Sequence, residues 1–153
     1  MNAEASELQR VVIALPPNAW HGHSTETVWA DRAAVDRYRI RSIPFFATGI
    51  SVNDIAAVRW EDGQAVLDRV ILRGGHSTYR IFLLNLDLAS EAFRVHWSPL
   101  EAMGCTYERA TEHLVAIDVP PPADSQAVYK LLERGEIEKV WEFEEGHCGH
   151  SVT

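Results

Sequence analysis

The chain has 153 residues, 46% of them hydrophobic and 24% charged, enough apolar material to bury a core in one or two small domains. Acidic residues outnumber basic ones 22 to 14, for a formal charge of -8, and the Lys and Arg positions are scattered, so DNA and RNA, which call for a basic stripe, are not expected partners. No apolar run approaches the roughly 20 residues that span a bilayer, and Met1 to Leu15 lacks the features of a signal peptide, so no membrane association is expected and the expected location is the cytoplasm, with Cys105 and Cys148 as free thiols.

The first half reads as strands. Val11 to Leu15 is a short apolar run, Thr25 to Ala30 is rich in β-formers, and Tyr38-Arg39-Ile40-Arg41 alternates apolar with charged residues, as a half-buried strand does. Pro44 and Gly49 bracket Phe45-Phe46 in a corner that turns two aromatics inward. Asp62-Gly63, between Ile55 to Trp60 and Val66 to Leu72, predicts a two-residue type I′ hairpin, because both central positions need positive φ. These segments predict a small barrel-like subdomain over residues 1–73, bounded by Gly74-Gly75.

The second half orders itself as β-α-β-β-α-β. Thr78 to Leu84 is a strand, and Ser90 to Met103 a helix with Phe93, Trp97 and Leu100 on one face, closed by Gly104. Ser98-Pro99-Leu100-Glu101 resembles a fresh capping box, which predicts a kink or restart. Cys105 to Arg109 and Leu114 to Val119 are strands. Asp124 or Ser125 caps a second helix through Val128, Leu131 and Leu132 that stops at Gly135, and Val140 to Phe143 is the last strand. The expected class is α+β, with a ferredoxin-like subdomain over residues 76–146, its first and third strands central, and a loose His/Cys tail over residues 147–153.

Two sets of residues carry candidate chemistry. In Arg73-Gly74-Gly75-His76-Ser77-Thr78-Tyr79-Arg80 the glycines admit close backbone approach, and Arg73, His76, Ser77, Thr78 and Arg80 offer donors to an anion; the competing reading is a tight linker whose hydroxyls satisfy local backbone. His21, His23, His147, Cys148 and His150 are spaced as a transition metal accepts, although no paired zinc motif is present. No cofactor is expected; zinc is the ion this second set admits. Cys148 between His147 and His150 is a candidate reactive thiol, whereas Cys105 reads as a buried small hydrophobe. Glu142, Glu144 and Glu145 read as candidate bases or as a solvated acidic edge, and Trp20 as a partner anchor if exposed.

Ile43-Pro44-Phe45-Phe46-Ala47, Asn53-Asp54-Ile55, Gly75 to Arg80, Gly104 to Glu108 and Glu144 to His150 together resemble a bacterial family known only as a domain of unknown function, number 4265, with Asn53 where Gly is expected. That resemblance implies a cytosolic bacterial protein and carries no activity or residue role. The reading drawn from it is a non-enzymatic protein-binding module, for example an immunity protein that neutralises a toxin through acidic complementarity. A small-ligand sensor or enzyme at the subdomain junction, and a metal-binding protein using the C-terminal His/Cys cluster, are the alternatives.

Overall fold

The computed structural model describes residues 7–84 and 90–151, so the expectations for the acidic N-terminus and for the end of the C-terminal tail fall partly outside the described residues. The chain is α+β, mostly strand with two helices. Strands β1 (Leu8–Ala14), β2 (Thr25–Ala34), β3 (Arg37–Ile40), β4 (Ile55–Glu61) and β5 (Gln64–Leu72) pair in sequence order, and β1 returns to β5 in parallel at Val11↔Ala65 and Val12↔Val66, closing a barrel. Period-two alternation does the sorting: Val11, Ile13, Val28, Ala30 and Ile40 point inside, while Thr25, Thr27 and Trp29 face out. The barrel is narrow, and Ala30, Ala47 and Ala65 fill its core beside the larger side chains. At the hairpin, Asp62 has φ 51 and Gly63 φ 80, both in the region that a type I′ turn requires.

The remaining elements are β6 (Ser77–Leu83), α1 (Glu91–Ala102), β7 (Thr106–Arg109), β8 (Leu114–Val119), α2 (Ser125–Ile137) and β9 (Trp141–His147). The four strands form an antiparallel sheet in the order β7-β8-β6-β9, with the two most apolar strands in the middle. Phe93, Trp97 and Leu100 of α1 and Val128 and Leu132 of α2 pack on Tyr79, Ile81, Val115, Ile117 and Trp141. Ser90 caps α1 by accepting from Phe93 N, and Asp124 caps α2 by accepting from Gln126 N and Ala127 N.

Two helix details differ from expectation. α1 runs unbroken through Pro99: the hydrogen bond that proline cannot make falls on the exposed side, where Val95 and Ser98 meet solvent. α2 does not stop at Gly135 but continues to Ile137, and Lys139, at φ 62, makes the left-handed turn that follows. Gly135 serves packing instead, because a Cβ there would overlap the indole of Trp141, whose Nε1 donates to the Leu132 carbonyl at 2.9 Å.

The central strand β6 is covered on both faces. Tyr79, Ile81 and Leu83 face the helices, whereas Thr78, Arg80 and Phe82 face residues from the barrel and its loops. The contact between the two sheets is centred on β6 and rich in polar partners, and β7 and β9 add to it, with Glu108 accepting from Ile43 N and the Gly146 carbonyl from Gly49 N.

Candidate functional site

Arg80 is fully buried at this contact, with 0% exposure. Its Nε donates to the Phe45 carbonyl at 2.7 Å and its Nη2 to the Ala47 carbonyl. On the other side of the same corner, the Glu26 carboxylate accepts from the backbone N–H groups of Phe45, Phe46 and Ala47, the last two at 2.9 Å. The peptides of 45–47 are thus held between an anion beneath and a cation above. Arg80 Nη1 has no partner among the described residues and presses on Gly146, where a Cβ would displace it. Burial pushes the guanidinium below its ordinary value, and Glu144 and Glu26 oppose that shift.

The Gly-Gly-His-Ser-Thr segment does cradle an anion, but one the chain supplies itself. Buried Asp54 accepts from Ser51 N at 3.0 Å, from Gly74 N at 2.8 Å and from Arg73 at 3.0 Å, and Arg73 also donates to the Gly49 carbonyl at 2.6 Å. Thr78 Oγ1 meets Ser51 Oγ at 2.6 Å across the sheet contact. Asn53, at φ 70, takes the conformation for which Gly was expected, and its amide lies 3.2 Å from His76 Nε2. His76 Nδ1 is 2.9 Å from both oxygens of Asp118. Burial raises the Asp118 carboxyl above the usual carboxylate range, an effect that His76 opposes. Of these residues, His76, Thr78 and Arg80 reach Asn53, Ser51 and the 45–47 carbonyls on the barrel side and fasten the two sheets, whereas Arg73 closes on Asp54 and Gly49 within the barrel side and Ser77 holds Gly149 and His150.

Residues 147–150 are docked, a correction to the loose tail read from the sequence for the part of it that is described. β9 extends to His147, Gly149 N donates to Ser77 Oγ at 2.9 Å, Ser77 Oγ lies 2.6 Å from His150 Nδ1, and His150 Nε2 meets the Pro120 carbonyl at 3.0 Å. With the carbonyl as acceptor, Nε2 carries the proton and Nδ1 accepts from the Ser77 hydroxyl. The pair has the contacts of a Ser–His dyad, but Ser77 is wholly buried, so the serine serves as an anchor.

His21, His23, His147, Cys148 and His150 do not assemble into a metal centre: among the described residues no group of three or more His, Cys, Asp or Glu is placed to hold an ion. The rings of His21 and His23 lie against Phe46 at 4.6 and 4.5 Å, and both nitrogens of His150 are engaged as described. His147 lies below the ordinary histidine range through burial and the nearby Arg73. Cys148 donates weakly to the His150 carbonyl at 3.5 Å, while Cys105 is buried and its thiol pushed up to about 12. Glu144 sits opposite Arg80 and Glu145 opposite Tyr79 on the edge strand.

The buried carboxylates Glu26, Asp54 and Asp118 were absent from the candidates read from sequence. Glu26 had a signal, since it occupies an inward position two residues before Val28 in an alternating strand. Asp118 had another, as the single charge in an otherwise apolar central strand. Among the tryptophans, Trp97 and Trp141 are in the core, whereas Trp20 is 59% exposed and packs edge-on against Phe46 at 6.0 Å and Phe82 at 5.0 Å.

These observations define a mostly β, α+β protein whose two sheets are joined by internal charge and hydrogen-bond fasteners. The model of the family described as a domain of unknown function (DUF4265) matches residues 26–143, and the chain belongs to that family. Among solved structures, a hypothetical protein from Neisseria gonorrhoeae is similar at a TM-score of 0.79 and 20% identity, over 95% of this chain and 98% of that one, which speaks for the fold. No curated protein sequence matches the chain. No helix among the described residues is long and apolar enough to cross a membrane.

Proposed function

We propose that this protein is a non-enzymatic protein-binding module whose contact surface centres on Trp20. The observation that carries the reading is the position of that indole: more than half exposed, yet held by edge contacts with Phe46, Phe82 and His21. A large side chain fixed before binding loses little conformational freedom when a partner covers it, and tryptophan is enriched among residues that dominate binding energy. The net charge of -8 favours a basic partner, such as a toxin whose nucleic-acid-contacting face is basic, which makes an immunity protein the specific form of this reading. Its two cysteines, unpaired in the structure, suit a reducing cytoplasm. The division into a barrel-like and a ferredoxin-like subdomain belongs to the same reading: β6 bonds to the barrel side through Thr78 and Arg80, and Trp20 touches both Phe46 and Phe82.

The test is site-specific photo-crosslinking in cells, with the crosslinker at exposed His23 beside Trp20 and, as a control, at exposed Leu72 on the barrel. A discrete adduct from position 23 alone, competed away by unlabelled wild type but not by Trp20→Ala, is the expected result. Equal or absent crosslinking at both positions would remove the Trp20 surface from consideration.

A further inference from the structure

On the helix-covered side of the four-stranded sheet, away from Trp20, a cleft of about 380 Å³ opens between the first turns of α2 and the end of β9. Tyr79, Tyr129, Lys130, Glu133, Glu145 and Cys148 are among the residues that line it. Its size falls at the lower end of the range typical of small-molecule sites. Tyr79 forms the floor and is only 3% exposed; its hydroxyl makes no hydrogen bond to any described residue and is not among the sealed, orphaned atoms, so it opens to the cleft. Polar groups of folded proteins nearly always have a partner, and the cleft is the space from which this hydroxyl is reached.

Two aromatic rings, Tyr79 and Tyr129, line the cleft, and the Phe143 ring packs against both, 6.3 Å from Tyr79 and 5.4 Å from Tyr129. The charged residues that line the cleft are two carboxylates, Glu133 and Glu145, and one ammonium, Lys130. Ring faces and an excess of carboxylate both favour a cationic head group. The Tyr79 hydroxyl stays protonated throughout the physiological range, since burial first, and then Glu145, Cys148 and Tyr129, push it up to about 12; it therefore meets a ligand as a neutral donor and acceptor.

We propose that this cleft binds a small molecule with an aromatic or apolar body and a protonated amine, the body against Tyr129 and Tyr79 and the amine beside Glu145. The site is separate from the Trp20 surface and stands or falls without it. Phenethylamine is the probe and phenylacetate, of similar shape and opposite charge, its control, each titrated into the ¹⁵N-labelled full chain. The expected result is saturable amide shifts at Tyr129, Glu145 and Cys148 with phenethylamine, binding of phenylacetate weaker by at least about fivefold, and slower alkylation of Cys148 by iodoacetamide when phenethylamine is saturating. Tyr79→Phe, which keeps the ring, and Glu145→Gln, on the exposed edge, are each expected to weaken phenethylamine by about 3- to 10-fold while leaving the rest of the spectrum in place. Shifts that fail to saturate, equal binding of the two probes, or unchanged affinity in both variants would overturn the assignment.

Discussion

The barrel and the four-stranded sheet solve the burial problem differently. Each barrel strand turns one face to a core built around Val11, Val28, Ile40 and small alanines, and Glu26, at one end, is a charged side chain turned inward there. In the sheet, β6 is hidden on both faces, apolar against the helices and polar against the barrel. The difference teaches that the helix-side core stabilises by area, whereas the sheet contact specifies by partners: Arg80, Ser51–Thr78 and the Asp54 cradle each fix one geometry.

The largest test of that contrast is Arg80→Ala, which leaves two buried carbonyls without a donor and a void beside Gly146. We expect a loss of about 3–5 kcal/mol in urea unfolding followed by tryptophan fluorescence. A loss below about 1 kcal/mol would mean that the contact specifies nothing. Next is Glu26→Gln, whose single carbonyl oxygen replaces two carboxylate oxygens serving three N–H groups; a loss of about 2 kcal/mol is expected, together with altered amide shifts at Phe45 to Ala47. Ser77→Ala removes the hydroxyl that holds Gly149 and His150 and is expected to cost about 1 kcal/mol. Its clearer signature is faster proteolytic removal of the residues beyond His147, whereas unchanged protease resistance would make the docking incidental.

The smallest effect at neutral pH concerns the thiols. Cys148 is expected to be labelled in the folded protein and Cys105 only on unfolding, which mass spectrometry after brief alkylation resolves. Because the Cys105 thiol is raised from 9.0 to about 12 by burial, the fold holds its neutral form. The stability this provides is fully present below pH 9 and is lost as the pH rises toward 12. A stability curve flat over that alkaline range would contradict the burial of this residue.

Element order, the hairpin at Asp62-Gly63 and the central place of β6 and β8 were legible in the sequence, since alternation and turn chemistry are local signals. The role of Gly135 was not, because a glycine that ends a helix and one that admits an indole look alike without the neighbour. Nor was the docking of His150, which rests on Ser77 and Pro120 far away in the chain. Arg73 to Arg80 was recognised as rich in donors; what the sequence did not reveal was that Asp54 and the 45–47 carbonyls supply the acceptors, a fact of tertiary placement.

The strand order has a consequence for synthesis. All five barrel strands lie between Leu8 and Leu72 and can close as soon as that stretch has emerged, but β6 receives its outer neighbour only when β9 has been made. At about 5–20 residues per second the ribosome takes several seconds to cover that distance. Through that interval, the central strand β6 waits with an open edge, and nascent-chain capture by chaperones should concentrate there.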